Sequence, residues 1–189
     1  LILMHESSLY RTCGDTRIVK NLSSKELKDI TKNEGDPVPT LKQAAQACDS
    51  AIAVVEGKGS NWAGPLLKQL HYFTKQPIVI SYNLHELNII RQRNPTIELF
   101  LINKTNPFSA IHQAWQHQLT GVTLLYWMYN PFAYYYAKRR GLKMSAFTVR
   151  PGLTKIFHKL YPEVMITTDR PDLFIRQSET PIASTSTKR

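Results

Sequence analysis

A histidine and a carboxylate stand side by side at His5-Glu6, directly after the apolar run Leu1 to Met4. Further on, Val55-Glu56-Gly57-Lys58 sets a carboxylate and an ammonium two residues apart. An imidazole titrates near neutral pH and can take a proton or give one to a leaving alkoxide. On a strand, positions two apart share a face, so Glu56 and Lys58 suit a hard cation and a phosphate held next to each other. Plainer roles fit the same residues: a histidine hydrogen-bonded at a strand end, and a structural Glu–Lys ion pair. Residue type and spacing leave both readings open.

Other chemistry-bearing residues carry less. His85, His112 and His117 fall on expected helices or their edges, with no carboxylate or cysteine at ligand spacing, and read as solvated or packed. Phe132, Tyr134, Tyr135 and Tyr136 could stack nucleobases, but at helical spacing they read as core and rim packing. Asp169, before Arg170-Pro171, reads as a helix cap or a local pair. Cys13 and Cys48 show neither a CxxC nor ligand spacing, so no disulfide scaffold or zinc site is indicated. Two free thiols lean towards a reducing, cytoplasmic compartment.

The elements that must position these groups follow from the hydrophobic pattern. Short β-branched runs are expected as strands at Leu1 to His5, Ala51 to Glu56, Pro77 to Tyr82, Ile97 to Ile102, Thr120 to Leu125, Lys143 to Val149 and Val164 to Thr167. Helices are expected over Ser24 to Ile30, Leu41 to Cys48, Trp62 to Phe73, Leu84 to Arg93, Pro107 to Gln116, Pro131 to Arg140 and Gly152 to Leu160. Asn106-Pro107 and Asn130-Pro131 suit an N-cap followed by proline in the first turn. Such alternation closes as a (β/α)8 barrel or lies open as a doubly wound sheet, and no GxGxxG or P-loop favours the second. In both, the working edge is the carboxyl end of the strands.

Of the 189 residues, 42% are hydrophobic and 20% charged, which reads as globular. Apolar runs such as Pro77 to Tyr82 are far too short to span a membrane as a helix. The net charge of +10 calls for an anionic partner: nucleic acid, a lipid surface or a phosphorylated small molecule. The basic residues are scattered, and the one cluster, Lys138-Arg139-Arg140 with Lys143, reads as a solvated helix end. Nucleic acid is therefore not expected. The Ser/Thr-rich stretch 176–189 reads as a disordered tail behind one domain over 1–175.

Taken in order, the segments resemble a family. Leu3 to Thr12 is similar to the "vvmHDxxLxRT" segment of glycerophosphodiester phosphodiesterases, Val19 to Leu27 to their "V-x-dLtlaEL", and Val38-Pro39-Thr40-Leu41 to their "iPTL". Val55-Glu56-Gly57-Lys58 resembles "IEIK", Ile80 to Asn83 "vsSFn", Ala146 to Val149 "vWTVN", and Ile166 to Pro171 "IiTDrP". The resemblance implies a TIM (β/α)8 barrel of the PLC-like phosphodiesterase type. It implies hydrolysis of glycerophosphodiesters to glycerol 3-phosphate and an alcohol, assisted by Ca2+ or Mg2+, with a small-molecule substrate and proximity to lipid surfaces. In that family two histidines act as acid and base, and His5 matches the second. Glu56 matches a metal carboxylate, Lys58 the phosphate-contacting lysine, and Tyr82 and Phe147 the aromatics lining the alcohol side.

The departures are specific. The family's first histidine, in "HRG", and its "E-x-D" metal pair precede the "HD" segment, and this chain begins after that point. A TIM barrel takes about 250 residues, so the expectation is a barrel incomplete at its N-terminus and inactive as it stands. If the gene itself lacks those residues, the alternative is a catalytically degenerate barrel that binds phosphodiesters or a protein partner. Glu6 stands for the family's aspartate, Phe147 for a tryptophan and Arg150 for an asparagine. Gly57 replaces a β-branched residue, which fits a close backbone approach.

Overall fold

Strands buried on both faces read as continuous apolar runs, and Leu99–Asn103 and Gly121–Leu125 are such runs, buried but for their last residues. They form the middle of a sheet of six parallel strands whose spatial order is their chain order. The strands are β1 (Val54–Gly57), β2 (Ile78–Ser81), β3 (Leu99–Asn103), β4 (Gly121–Leu125), β5 (Lys143–Phe147) and β6 (Met165–Ile166). The computed structural model describes residues 1–34 and 37–173. The tail expected over 176–189 lies outside them. The sheet curls into a half-barrel, an incomplete TIM barrel in which β1 and β6 are the edges among the described residues.

Helices α3 (Leu41–Cys48), α4 (Ala63–Leu67), α5 (Leu84–Arg93), α6 (Pro107–Gln116), α7 (Pro131–Lys138) and α8 (Pro151–Leu160) contribute to the core on the sheet's outer face, and they are preceded by α1 (Tyr10–Cys13) and α2 (Ser24–Glu34), which touch each other. The starts of α3, α5, α6 and α7 are set by side chains that accept the otherwise unpaired first N–H groups. Asn83 accepts from Glu86, Asn106 from Ser109 and Asn130 from Ala133, while Thr40 and Gln43 form a reciprocal capping box. The single helix expected over Trp62 to Phe73 is instead α4 followed by a 3-10 turn at Leu70–Tyr72. The turn still lets Leu67, Leu70 and Phe73 pack on the core, so burial is satisfied without a continuous helix.

The period of two along each strand divides the sheet. Val79, Leu99, Leu101, Val122, Leu124, Met144 and Ala146 pack outward with the helices into one core. Their alternates face the concave side. There Phe100 lies opposite Gly121 in the β3–β4 register, and a side chain at Gly121 would collide with the Phe100 ring and the Lys143 carbonyl.

One expected strand is corrected. Leu1 to His5 does not enter the sheet. Ile2 bridges Thr40 antiparallel, with Leu3 N donating to Pro39 O at 2.9 Å and Leu41 N to Leu1 O at 3.0 Å. An apolar run becomes a barrel strand only where a neighbour offers a ladder and burial. Here Leu1, Ile2 and Leu3 remain 42%, 37% and 37% exposed.

Candidate active site

The carboxyl ends of the strands open into a cleft of about 1400 Å3. His5, Glu56, Lys58, Tyr82 and Phe147 all line it, although they come from separate segments of the chain. Glu56 and Lys58 reach the same side because β1 continues its alternation through Gly57. The Lys58 ammonium lies 3.7 Å from Glu56 Oε2 and donates to the His5 carbonyl at 2.7 Å. That bond ties the N-terminal segment to the tip of β1, so His5 reaches the cleft without being part of the sheet.

The His5 imidazole is held from the other side. Its Nδ1 lies 3.0 Å from Glu6 Oε1, and Arg11 grips the same carboxylate through Nε at 2.6 Å and Nη2 at 2.9 Å. With the proton on Nδ1, donated to Glu6, Nε2 is left free for proton transfer. The ring itself is 79% exposed. The Arg11 guanidinium lowers the Glu6 pKa from the ordinary 4.5 to about 2, outweighing the opposing push from desolvation, with His5 a lesser aid. Because the folded value lies below the unfolded one, the stabilisation from this pair is complete above about pH 4.5 and is lost as pH falls towards 2. Carbon-detected NMR titration should place the Glu6 midpoint near 2 in the native chain and return it to the ordinary range in Arg11→Ala.

The tips of β1 and β2 are laced together beneath the cleft. Ser81 is fully buried; its hydroxyl donates to Gly57 O at 2.6 Å and accepts from Asn83 N at 3.0 Å. Asn83 Nδ2 donates to Gly59 O at 2.8 Å. Glu86, also buried, accepts from Asn61 N at 2.7 Å and Ala63 N at 2.8 Å, fixing the loop after Lys58. Any side chain at Gly57 would run into the Trp62 indole, so the glycine accommodates a side-chain ring rather than the close backbone approach expected from the sequence. Gly57→Val should therefore lower stability by about 1–3 kcal/mol through overpacking, read as a shift of the urea midpoint at constant slope.

Lys104 was not singled out from the sequence. It follows β3 and continues the concave-side alternation Phe100, Ile102, Lys104, which is the signal that would have found it. Its ammonium lies 5.1 Å from the Tyr82 ring centroid and 5.8 Å from that of Phe147. Trp127, on the 3-10 turn Tyr126–Met128 after β4, is 65% exposed and lines the mouth. Asp169 lines the cleft as well, while Arg170 pairs with Asp172.

The remaining candidates fall outside the cleft. Tyr134 is buried against Tyr161, whereas Phe132 and Tyr135 are 80% and 60% exposed. Lys138 ends α7 and pairs with Glu163, and Arg140 stacks on Tyr136. Both cysteines are free.

For a cation, Glu56 is one carboxylate already facing Lys58. Among the described residues no group of three His, Cys, Asp or Glu side chains is placed to hold a metal ion. That falls short of the oxygen-rich shell a Ca2+ or Mg2+ site needs, so the described residues do not fit a complete metal centre. The sequence does contain one Glu-x-Asp triplet, Glu34-Gly35-Asp36; it follows His5 in the chain, and its side chains lie outside the described residues.

A half-barrel with its polar cleft at the carboxyl edge defines the class as a TIM-type (β/α) domain. No protein-family model and no curated protein matches the sequence. Solved structures do match. A glycerophosphodiester phosphodiesterase from Parabacteroides distasonis superposes with a TM-score of 0.73 at 19% identity, over 90% of this chain and 74% of that one. One from Thermotoga maritima gives 0.73 at 17% identity, over 92% and 77%. A phosphodiesterase from Oleispira antarctica, in complex with the product sn-glycerol-3-phosphate, gives 0.75 at 18% identity, over 90% and 76%. The fold is thus the one these phosphodiesterases share.

Proposed function

We propose that this chain belongs to the glycerophosphodiester phosphodiesterases and serves hydrolysis of a glycerophosphodiester to glycerol 3-phosphate and an alcohol. The observation that carries the reading is the convergence of five residues in one cleft. Those five are the residues to which the motif resemblance assigns roles. In this reading Lys58 receives the phosphate oxygens, offsetting charge that builds on them as water attacks phosphorus. The bond from phosphorus to the alcohol oxygen breaks, and His5, as the imidazolium whose Nδ1–H is held by Glu6, gives its Nε2 proton to the departing alkoxide; the proton released by the attacking water passes to solvent, from which His5 is reprotonated. Tyr82 and Phe147 flank the alcohol. The excess of positive charge gathers anionic diesters and favours work near lipid surfaces. Glu56 would be one ligand to a divalent cation, and no step here is routed through it.

A second reading is a barrel that binds phosphodiesters without turning them over. The absence of a three-ligand metal cluster among the described residues favours it. The test is release of glycerol 3-phosphate from glycerophosphocholine and glycerophosphoinositol with Ca2+ or Mg2+ supplied, alongside binding of the same diesters. Turnover lost with chelator and in His5→Ala supports the enzyme. Binding without turnover favours the second reading, and full activity in His5→Ala overturns the role of His5.

A further inference from the structure

Quaternary ammonium groups are recognised by aromatic side chains arranged around the cation. Tyr82 and Phe147 begin such an arrangement in the cleft, but a cation from the chain itself already stands there: Lys104, within 6 Å of both ring centroids. No carboxylate lies within ion-pair distance of its ammonium among the described residues. Arg150, also lining the cleft, is likewise without an ion-pair partner among them. The other charged groups of the cleft are accounted for, Lys58 by Glu56 and Arg170 by Asp172, which leaves Asp169 as a single opposing carboxylate.

From this geometry we infer that the alcohol side of the cleft selects diesters whose alcohol carries an anionic group of its own, with Lys104 as the specificity-determining residue. The inference rests on the reading of Tyr82 and Phe147 as the alcohol side. A choline group would meet a like charge at the position its ammonium needs, and the aromatic faces that would hold it are engaged. An anionic alcohol would instead pair with the ammonium of Lys104, and charge complementarity of this kind acts mainly on selectivity.

The test is a charge series bound to the full chain: glycerophosphocholine, glycerophosphoinositol and glycerophosphoinositol 4-phosphate, followed by calorimetry or by tryptophan fluorescence, with sn-glycerol 3-phosphate as reference. Affinity should rise along the series, with the last at least about tenfold tighter than the first. Lys104→Gln should shrink that ratio by roughly fivefold, and Lys104→Glu should shrink it further or invert it. Lys28→Gln, an exposed position on α2 with the same change in net charge, should leave the ratio unchanged. Equal or tighter binding of the choline diester, or a ratio indifferent to Lys104, overturns the inference while leaving the phosphodiesterase reading in place. If neither the reference nor any diester binds, both fall together.

Discussion

Lys58→Ala is expected to weaken binding of sn-glycerol 3-phosphate by roughly 10- to 100-fold, the worth of about 1.5–3 kcal/mol for hydrogen bonds to a charged group. Two consequences add in that substitution. The ammonium that answers the phosphate is lost, and so is the 2.7 Å bond from Lys58 to the His5 carbonyl. Among the described residues no other hydrogen bond runs from the tip of β1 to His5, so the histidine loses its bonded tether to the sheet. Lys58→Arg keeps the charge but replaces a compact ammonium with a planar fork, and should recover part of the affinity. Calorimetric titration of the native chain and both variants measures the effect; a loss of less than threefold in Lys58→Ala would overturn the assignment of Lys58 as the phosphate contact.

Glu86→Ala should cost about 3 kcal/mol of stability. The carboxylate is 2% exposed and accepts two backbone N–H groups, Asn61 and Ala63, at the start of α4. Truncation strands both donors where water has little access, at about 1–3 kcal/mol each. Glu86→Gln keeps the shape and one acceptor, and should cost about half as much. Urea unfolding at constant slope reads the difference. Since Asn61 closes the loop that follows Lys58, Glu86→Ala should also weaken glycerol 3-phosphate binding, whereas Gly57→Val acts on stability through Trp62.

The strands β2 to β5 were legible because each is a short apolar run bounded by Asn, Pro or Gly, and burial on both faces leaves few other ways to place such a run. The helices α3, α5 and α6 were legible to the residue, since Thr40, Asn83 and Asn106 write their starts into the sequence as caps. Leu1 to His5 carries the same signal as β2 without becoming a strand of the sheet, because an apolar run specifies burial but not a partner. The run pairs with Pro39–Leu41, a contact between segments that no local pattern encodes.

The site divides in the same way. Glu56 and Lys58 are neighbours in sequence, and the period of two alone puts them on one face. By itself, therefore, the sequence determined the strand-and-helix alternation, the caps, the Glu56–Lys58 pair and the motif order that points to phosphodiester chemistry. Only the tertiary structure decided that His5 meets them through the backbone carbonyl that Lys58 holds, and that Lys104 stands over Tyr82 and Phe147. The first joins a segment outside the sheet to the tip of β1; the others join the ends of β2, β3 and β5 across a curved sheet. Their distances are set by the curl and register of β1 to β5, which are properties of packing between elements rather than of any one stretch of chain.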